Sequence, residues 1–531
     1  MGEHGAGLRG GNGRAAAMPT GVAARASGWR WLPRAVLMVT VAAGAGWVSG
    51  APQAVFAGVR PESGISAGGG QTCVLQAGKA YCWGYGVYGQ LGGGSLTSSS
   101  VPVPVDASGL LAGKTLTQIS AGGNHTCALD SAGHAYCWGD GAYGELGDGT
   151  AASSDVPVAV DASGVLAGKT LTQISGGTYD TCALDSAGHA YCWGRNNAGG
   201  LGDGTFTDSD VPVAVDASGV LAGRTLIQIS AGGYHTCALD TAGHGYCWGN
   251  GSNGELGDGT AISSDVPVAV DASGVLAGKT LTQISGGFSH TCALDSAGHV
   301  YCWGQNYLGG LGDATFTDSD VPVAVDTSGV LAGKTLTQVT TGYLATCALD
   351  SASRAYCWGN NNTGELGDHT TTSSDVPVAV YASGVLAGKT LTRVSAGYFY
   401  ACATGRYGAA YCWGTNQDGE LGHGTITDWA TRPMTVVSLV PQPPGNVTGR
   451  AGSHSAAVSW TAPASLGTGT LTGYTATATP GGRSCSTQRA TRCTITGLRN
   501  GTTYTITVIT RTTTVNSAPS KPITVTPHRA T

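Results

Sequence analysis

The sequence predicts an all-β protein, a seven-bladed β-propeller followed by a small β-sandwich of immunoglobulin-like type. Three observations predict it. Seven close cysteine pairs recur at a nearly constant interval, and each is followed directly by Trp. Glycine supplies 88 of 531 residues while charged residues make up only 11%, a composition of turns and short strands rather than helices. After residue 440 the composition changes to Thr-rich alternating segments, which read as the strands of a second unit.

Residues 1–57 read as a targeting segment. Arg25, Arg30 and Arg34 precede an apolar run from Ala35 to Val48, too short to span a bilayer comfortably. Val55-Phe56-Ala57 offers the small or apolar positions that a signal peptidase reads, and no Arg-Arg pair occurs, which favours the general secretory route. Met18 is an alternative start, and an uncleaved N-terminal anchor is the alternative reading of the segment. The expected location is secreted or cell-surface, with no stable membrane span after processing.

Residues 58–440 hold the repeats. The pairs are Cys73 with Cys82, Cys127 with Cys137, Cys182 with Cys192, Cys237 with Cys247, Cys292 with Cys302, Cys347 with Cys357 and Cys402 with Cys412. From Cys127 onward the first member recurs every 55 residues, and a unit of that length cannot bury its own sheet face without neighbours. Within one unit, 115–120, 126–129, 134–138 and 156–160 read as four strands, with Asp130-Ser131-Ala132-Gly133 as a hairpin turn and Pro157 marking an outer edge. Cys127 and Cys137 sit symmetrically about that turn, so disulfides across the hairpins are expected, which an oxidising compartment permits. The spacing is not that of zinc knuckles. Trp83, Trp138, Trp193, Trp248, Trp303, Trp358 and Trp413 are expected to pack between blades.

Ile119-Ser120-Ala121-Gly122-Gly123-Asn124-His125-Thr126, followed by Trp138-Gly139 and Gly144-Glu145-Leu146-Gly147, resembles the regulator of chromosome condensation repeat, and the match recurs seven times. The resemblance implies a seven-bladed propeller. This chain departs from the pattern in its cysteine pairs and in the motif histidine, kept as His125, His235 and His290 but replaced by Gln71, Asp180, Ala345 and Tyr400.

Pro441 to Gly445 is a stiff linker. Residues 446–528 resemble a fibronectin type III domain in Trp460, Gly473-Tyr474 and Leu498 followed by Asn500-Gly501-Thr502-Thr503-Tyr504, the pattern of a tyrosine corner, with Cys485 and Cys493 expected to staple two strands.

Charge excludes one class of partner. The first 57 residues carry a net +4, residues 443–531 carry seven Arg, one Lys and no acid, and the propeller between them carries net −18. An acidic propeller does not suit a phosphate backbone, so nucleic acid is not expected. No catalytic constellation emerges. His134, His189, His244 and His299 repeat at one hairpin turn and read as solvated, and strings such as Asp148-Gly149-Thr150 read as Asx-turns rather than calcium loops. Neither a metal nor a cofactor is expected.

The nearly copied units diverge at two places, after Gly-Gly and after Trp-Gly. Tyr85, Tyr88, Tyr143, Arg195, Tyr234, Phe288, Tyr307, Tyr343 and Tyr398 fall there and form the candidate binding set, joined by Asp140, Asn197, Asn253, Asn361, Gln417, Tyr179 and Phe399. The expected function is that of an exported, monomeric, non-enzymatic binding protein whose loops recognise a protein, with cell-wall polysaccharide as the other partner class. An exported propeller of the same superfamily that inhibits β-lactamase is the precedent the resemblance implies. Guanine-nucleotide exchange, also implied by the resemblance, and an accessory role in extracellular polysaccharide degradation are the alternatives. A further trace of duplication is the alternation of Gly144-Glu145-Leu146 with Gly200-Leu201, repeated in the next two units.

Overall fold

Antiparallel pairing around the Asp130–Gly133 turn sets Cys127 directly opposite Cys137, with Cα atoms 4.1 Å apart. The same register puts Cys73 opposite Cys82, Cys182 opposite Cys192, Cys237 opposite Cys247, Cys292 opposite Cys302, Cys347 opposite Cys357 and Cys402 opposite Cys412. All seven disulfides close within their own hairpins, none between blades, at Cα separations of 4.0–4.1 Å. Both members of every pair are fully buried, so each staple is also part of its blade's core. The computed structural model describes residues 64–437, 441–463, 465–467, 469–513 and 516–529. The expected targeting segment lies outside the described residues.

Each unit is one four-stranded antiparallel sheet made of consecutive strands, and seven such sheets follow in series. In the second, the strands are Leu116–Ala121, His125–Asp130, Ala135–Gly139 and Ser154–Ala159. Pro157 lies on the outer edge strand, where its missing N–H costs no ladder bond. That strand begins two residues earlier than its sequence suggests, because a register shift between Cys137 and Gly139 brings Ser154 opposite Gly139.

The seven inner strands surround a central axis, each touching the next and Leu391–Ala396 touching Ile65–Ala67 to close the circle. Two sets of hydrogen bonds tie neighbouring blades, and both are complete. Every Trp of the repeat is fully buried. Its indole N–H donates to a backbone carbonyl of the preceding blade: Trp138 to Gln90, Trp193 to Glu145, Trp248 to Gly200, Trp303 to Glu255, Trp358 to Gly310, Trp413 to Glu365 and Trp83 to Glu420. The glycine that ends each Gly-x-Leu-Gly string makes room for this ring. A Cβ on Gly147 would sit 2.6 Å from Trp193 Nε1, and its φ of +67° is left-handed. Nearer the axis, the hydroxyls of Ser66, Ser120, Ser175, Ser230, Ser285, Thr340 and Ser395 each accept an N–H from the next inner strand.

The C-terminal unit is a sandwich of two sheets. One contains Gly445–Gly452, Ser455–Thr461 and Arg492–Thr496, the other Arg483–Thr487, Leu471–Thr479, Tyr504–Thr512 and Ile523–Val525. Trp460 packs edge-on against Tyr474 in its core, and Tyr504 OH accepts the Arg499 N–H at 3.0 Å, forming the tyrosine corner. The disulfide of Cys485 with Cys493 joins strands of different sheets.

Two outcomes follow from the ring. Removing one internal 55-residue unit should abolish the soluble fold, because six blades cannot close the sevenfold contacts, whereas an open solenoid would tolerate the loss; yield and cooperative melting report which. Trp193→Ala should cost about 3–5 kcal/mol in urea unfolding, since it opens a cavity and leaves the Glu145 carbonyl with only its bond from the Thr181 hydroxyl.

Candidate functional site

Antiparallel order places the turn after the inner strand and the loop after the third strand at the same end of every blade, so the two divergent segments share one face. The turns are drawn together by backbone alone. Around the axis, Gly69 N–H donates to Gly122 O, Gly123 to Gly177, Thr178 to Gly232, Gly233 to Gly287, Phe288 to Gly342, Tyr343 to Gly397 and Tyr398 to Gly68, at 2.9–3.2 Å. The acceptor is glycine at all seven places for a steric reason: a Cβ there would approach the next turn's carbonyl oxygen to between 2.1 and 2.8 Å.

The donor position differs between blades, and that difference makes the site; where it is glycine, at Gly69, Gly123 and Gly233, a Cβ would meet the next turn's carbonyl oxygen at 2.3–2.4 Å. Blades one, two and four have Gly69, Gly123 and Gly233, whereas blades five, six and seven carry Phe288, Tyr343 and Tyr398. Phe288 and Tyr343 rings lie 4.2 Å apart by centroid, Tyr343 and Tyr398 5.2 Å, and Tyr234 joins Phe288 at 5.5 Å. Tyr179 continues the series to Tyr143, and Phe399 packs on Tyr343. Tyr398 reaches across the mouth of the axis to donate to Thr178 Oγ1 at 2.6 Å, and burial holds its phenol pKa far above the ordinary value. Arg195 lies over the Tyr143 ring at 4.6 Å and the Tyr179 ring at 5.2 Å.

Six residues of the expected set, Tyr143, Arg195, Tyr234, Phe288, Tyr343 and Tyr398, therefore meet in one aromatic surface. Tyr85 and Tyr88 form a separate edge-on pair at 6.0 Å. Tyr307 is 53% exposed and makes no ring stack among the described contacts. Asn361 departs from expectation: it is fully buried, donating to Asp368 Oδ1, Thr370 Oγ1 and Thr372 O and accepting from Leu366 N–H, so it braces its loop from inside. Thr178 was not legible as a site residue, because its role appears only when Tyr398 arrives from four blades away.

The units brace the same loop with different residues, and Glu365 with Asn361 and Glu420 with Asn416 combine both braces. Glu145 is buried and accepts the Tyr143 N–H at 2.8 Å, and burial raises its pKa to about 7. Where glycine replaces it at Gly200 and Gly310, Asn196 and Asn306 take over, each accepting the N–H of the following Leu and donating into the Asp-Gly-Thr or Asp-Ala-Thr turn.

The motif histidines lie beneath the aromatic face, between blades. His125, His235 and His290 Nε2 bond to Thr181, Thr291 and Thr346 of the next blade at 2.8–2.9 Å. Burial lowers their pKa values to about 4, 3 and 4, with the charge of His290 adding to the fall at His235. At the equivalent place Asp180 is buried near Glu145, and desolvation lifts its pKa well above the ordinary value.

At the opposite end, the hairpin histidines are more engaged than solvated turn residues. His134 Nδ1 is 3.1 Å from Asp130 Oδ2, a buried carboxylate that also takes the Ala132 and His134 N–H groups and pairs with Lys114 at 3.2 Å. Burial opposes ionisation there, but these bonds outweigh it and hold the Asp130 carboxyl below its usual range. Asp148 is an Asx-turn, accepting both N–H and O–H of Thr150. Among the described residues no cluster of three or more His, Cys, Asp or Glu is arranged to hold a metal ion.

These features define a disulfide-stapled, seven-bladed propeller with an aromatic mouth, followed in the chain by a fibronectin type III domain. Its sequence matches the model of the RCC1-like domain over residues 48–326 and 163–470, and that of the fibronectin type III domain over 442–526. The chain belongs to the RCC1-like family. It is 31% identical over 410 residues to the ultraviolet-B receptor UVR8 of Arabidopsis thaliana, covering 75% of this chain and 88% of the receptor. It is 32% identical over 340 residues to the human E3 ubiquitin-protein ligase HERC2, covering 63% of this chain but only 7% of that protein. Prp20p of Saccharomyces cerevisiae, described with its binding to Gsp1p and histones, shares the fold at a TM-score of 0.59 and 21% identity, over 68% of this chain and 87% of its own.

The buried groups set opposite pH limbs. A native histidine pKa below the unfolded 6.5 makes stability fall as pH drops from about 6.5 toward 4, so His125→Gln, which copies Gln71, should recover about 3 kcal/mol relative to the parent at pH 4 compared with pH 7. Asp180 has a raised native pKa, so its stabilising share is lost as pH climbs above 3.8, and Asp180→Asn should gain on the parent with rising pH. Urea melts across about pH 4–8 measure both differences.

Proposed function

We propose that the protein is an exported, non-enzymatic binding protein whose aromatic propeller face recognises a protein partner. The observation that carries this reading is the run of aromatic rings from Tyr143 to Phe399, capped by Arg195, on the face that holds the two divergent segments of the nearly identical blades. Tyr and Arg are enriched among residues that dominate protein interfaces, and preformed stacking lowers the entropy lost on binding. Exposed Tyr88, Tyr143, Tyr307 and Phe399 extend the surface outward.

Protein binding agrees with the family: Prp20p is described with Gsp1p and histones, and bound to Kap60. Export is supported by the disulfides, which take up every one of the sixteen cysteines and need an oxidising compartment. That need supports a secreted or cell-surface location. The acidic charge of the propeller weighs against nucleic acid.

Purified, oxidised protein used as bait in culture supernatant and on cell walls would identify the partner. Alanine at Tyr143, Tyr234, Phe288 or Tyr307 should then weaken binding about thirtyfold at a true hot spot without lowering the melting temperature of the exposed variants. Replacing His134 and His189, or adding a chelator, should have little effect. Normal binding by every aromatic variant, with loss on chelation, would reject the reading and shift attention to the Asp-rich loops.

A further inference from the structure

Blade four differs from its sisters at the end of the propeller opposite the aromatic mouth. The third strand carries Ala80, Ala135, Ala190, Val300, Ala355 or Ala410 just before its Tyr in six blades, and Gly245 in the seventh. Gly245 lines a cavity of about 280 Å³ together with the apolar Val270, Leu276 and Leu281 and the basic Arg224, His244 and Lys279. A Cβ on Gly245 would press on two of these lining side chains, at 3.1 Å from Val270 Cγ2 and 3.6 Å from Leu281 Cδ1, so the glycine relieves crowding at the apolar wall. The apolar lining residues are buried, and the glycine has no left-handed φ to demand it.

One rim residue is also particular to this place. Arg224 stands where the neighbouring connectors have Lys114, Lys169, Lys279, Lys334 and Lys389. Arg224 and His244 both lean on Asp240, at 3.4 and 3.1 Å. Lys279 is 3.8 Å from Asp295, the longest of the four Lys or Arg pairs with a hairpin aspartate. Arg224 and Lys279 are 43% and 37% exposed, so each has donors to spare for a second anion. An apolar wall with cations beside it suits a ligand that is apolar at one end and anionic at the other.

We infer that this cavity is a binding site for a small carboxylate with a short apolar tail, the tail seated over Gly245 and the carboxylate received by Lys279 and Arg224. The site is independent of the aromatic face, so its failure leaves that reading untouched.

The test uses the full chain, with octanoate as probe and 1-octanol as its uncharged counterpart, followed by saturation-transfer NMR and calorimetry. Octanoate should bind at one site. Gly245→Ala restores the residue that sister blades carry and should keep the melting temperature while weakening octanoate about tenfold or more; Gly245→Val, matching Val300, should abolish binding. Lys279→Gln should weaken octanoate and leave 1-octanol unchanged. Absence of saturable octanoate binding, or equal binding by Gly245→Ala and the parent, would overturn the inference. So would an equal loss of both probes in Lys279→Gln, since the carboxylate would then have no role.

Discussion

Seven backbone hydrogen bonds around the axis, from Gly69 through Tyr398, govern what else this molecule can do. Each joins the turn of one blade to the turn of the next, and the last returns to Gly68. Only main-chain atoms take part, so the side chain on the donor residue is released from the work of closure. The acceptor is glycine in every blade, because any Cβ there would strike the neighbouring turn, and the donors Gly69, Gly123 and Gly233 are confined as closely. One constant and one varied position, side by side in each blade, give a fixed ring with a variable lining.

That arrangement explains how nearly duplicated units can build an asymmetric face. The Trp bonds and those to Ser, or to Thr340 in one blade, recur in all seven, so the frame obeys sevenfold order. The lining does not: glycines leave bare backbone on the side of blades one and two, while Phe288, Tyr343 and Tyr398 pave the other side and reach across to Thr178. Copying of a 110-residue pair would have supplied the frame, within which residues as unlike as Gly123, Thr178 and Tyr343 make the same donor bond.

Much of the frame was legible in the sequence because its signals are local. Cys127 and Cys137 are ten residues apart, and Trp138 follows at once, so a hairpin and a buried ring could be read from one unit. The remaining second members, Cys82, Cys192, Cys247, Cys302, Cys357 and Cys412, fall into the same register for the same reason, even in the first blade, where the turn is one residue shorter. The inter-blade partners were not legible. Ser120 meets Gly176, and His125 meets Thr181, each 56 residues away, a relation that exists only after the ring has closed. Asn361 shows the reverse error: divergence marked it as surface, yet it braces its loop internally where others use Glu alone. Variation between repeats reports a relaxed constraint, and burial decides which kind.

Every sheet of the propeller is built from four consecutive strands, and the junction between the last blade and the first is bonded like the others, with Trp83 on Glu420 and Ala67 on Ser395. No blade is shared between the two ends of the chain. The ring therefore has no mechanical seam, and the place where the polypeptide enters it carries no structural privilege. Circular permutants that join the native ends of the propeller and open the chain in any connector, such as that between Asp161 and Thr170, retain seven whole sheets. The order of the blades around the axis is what the fold needs, and where the gene starts counting them is incidental to it.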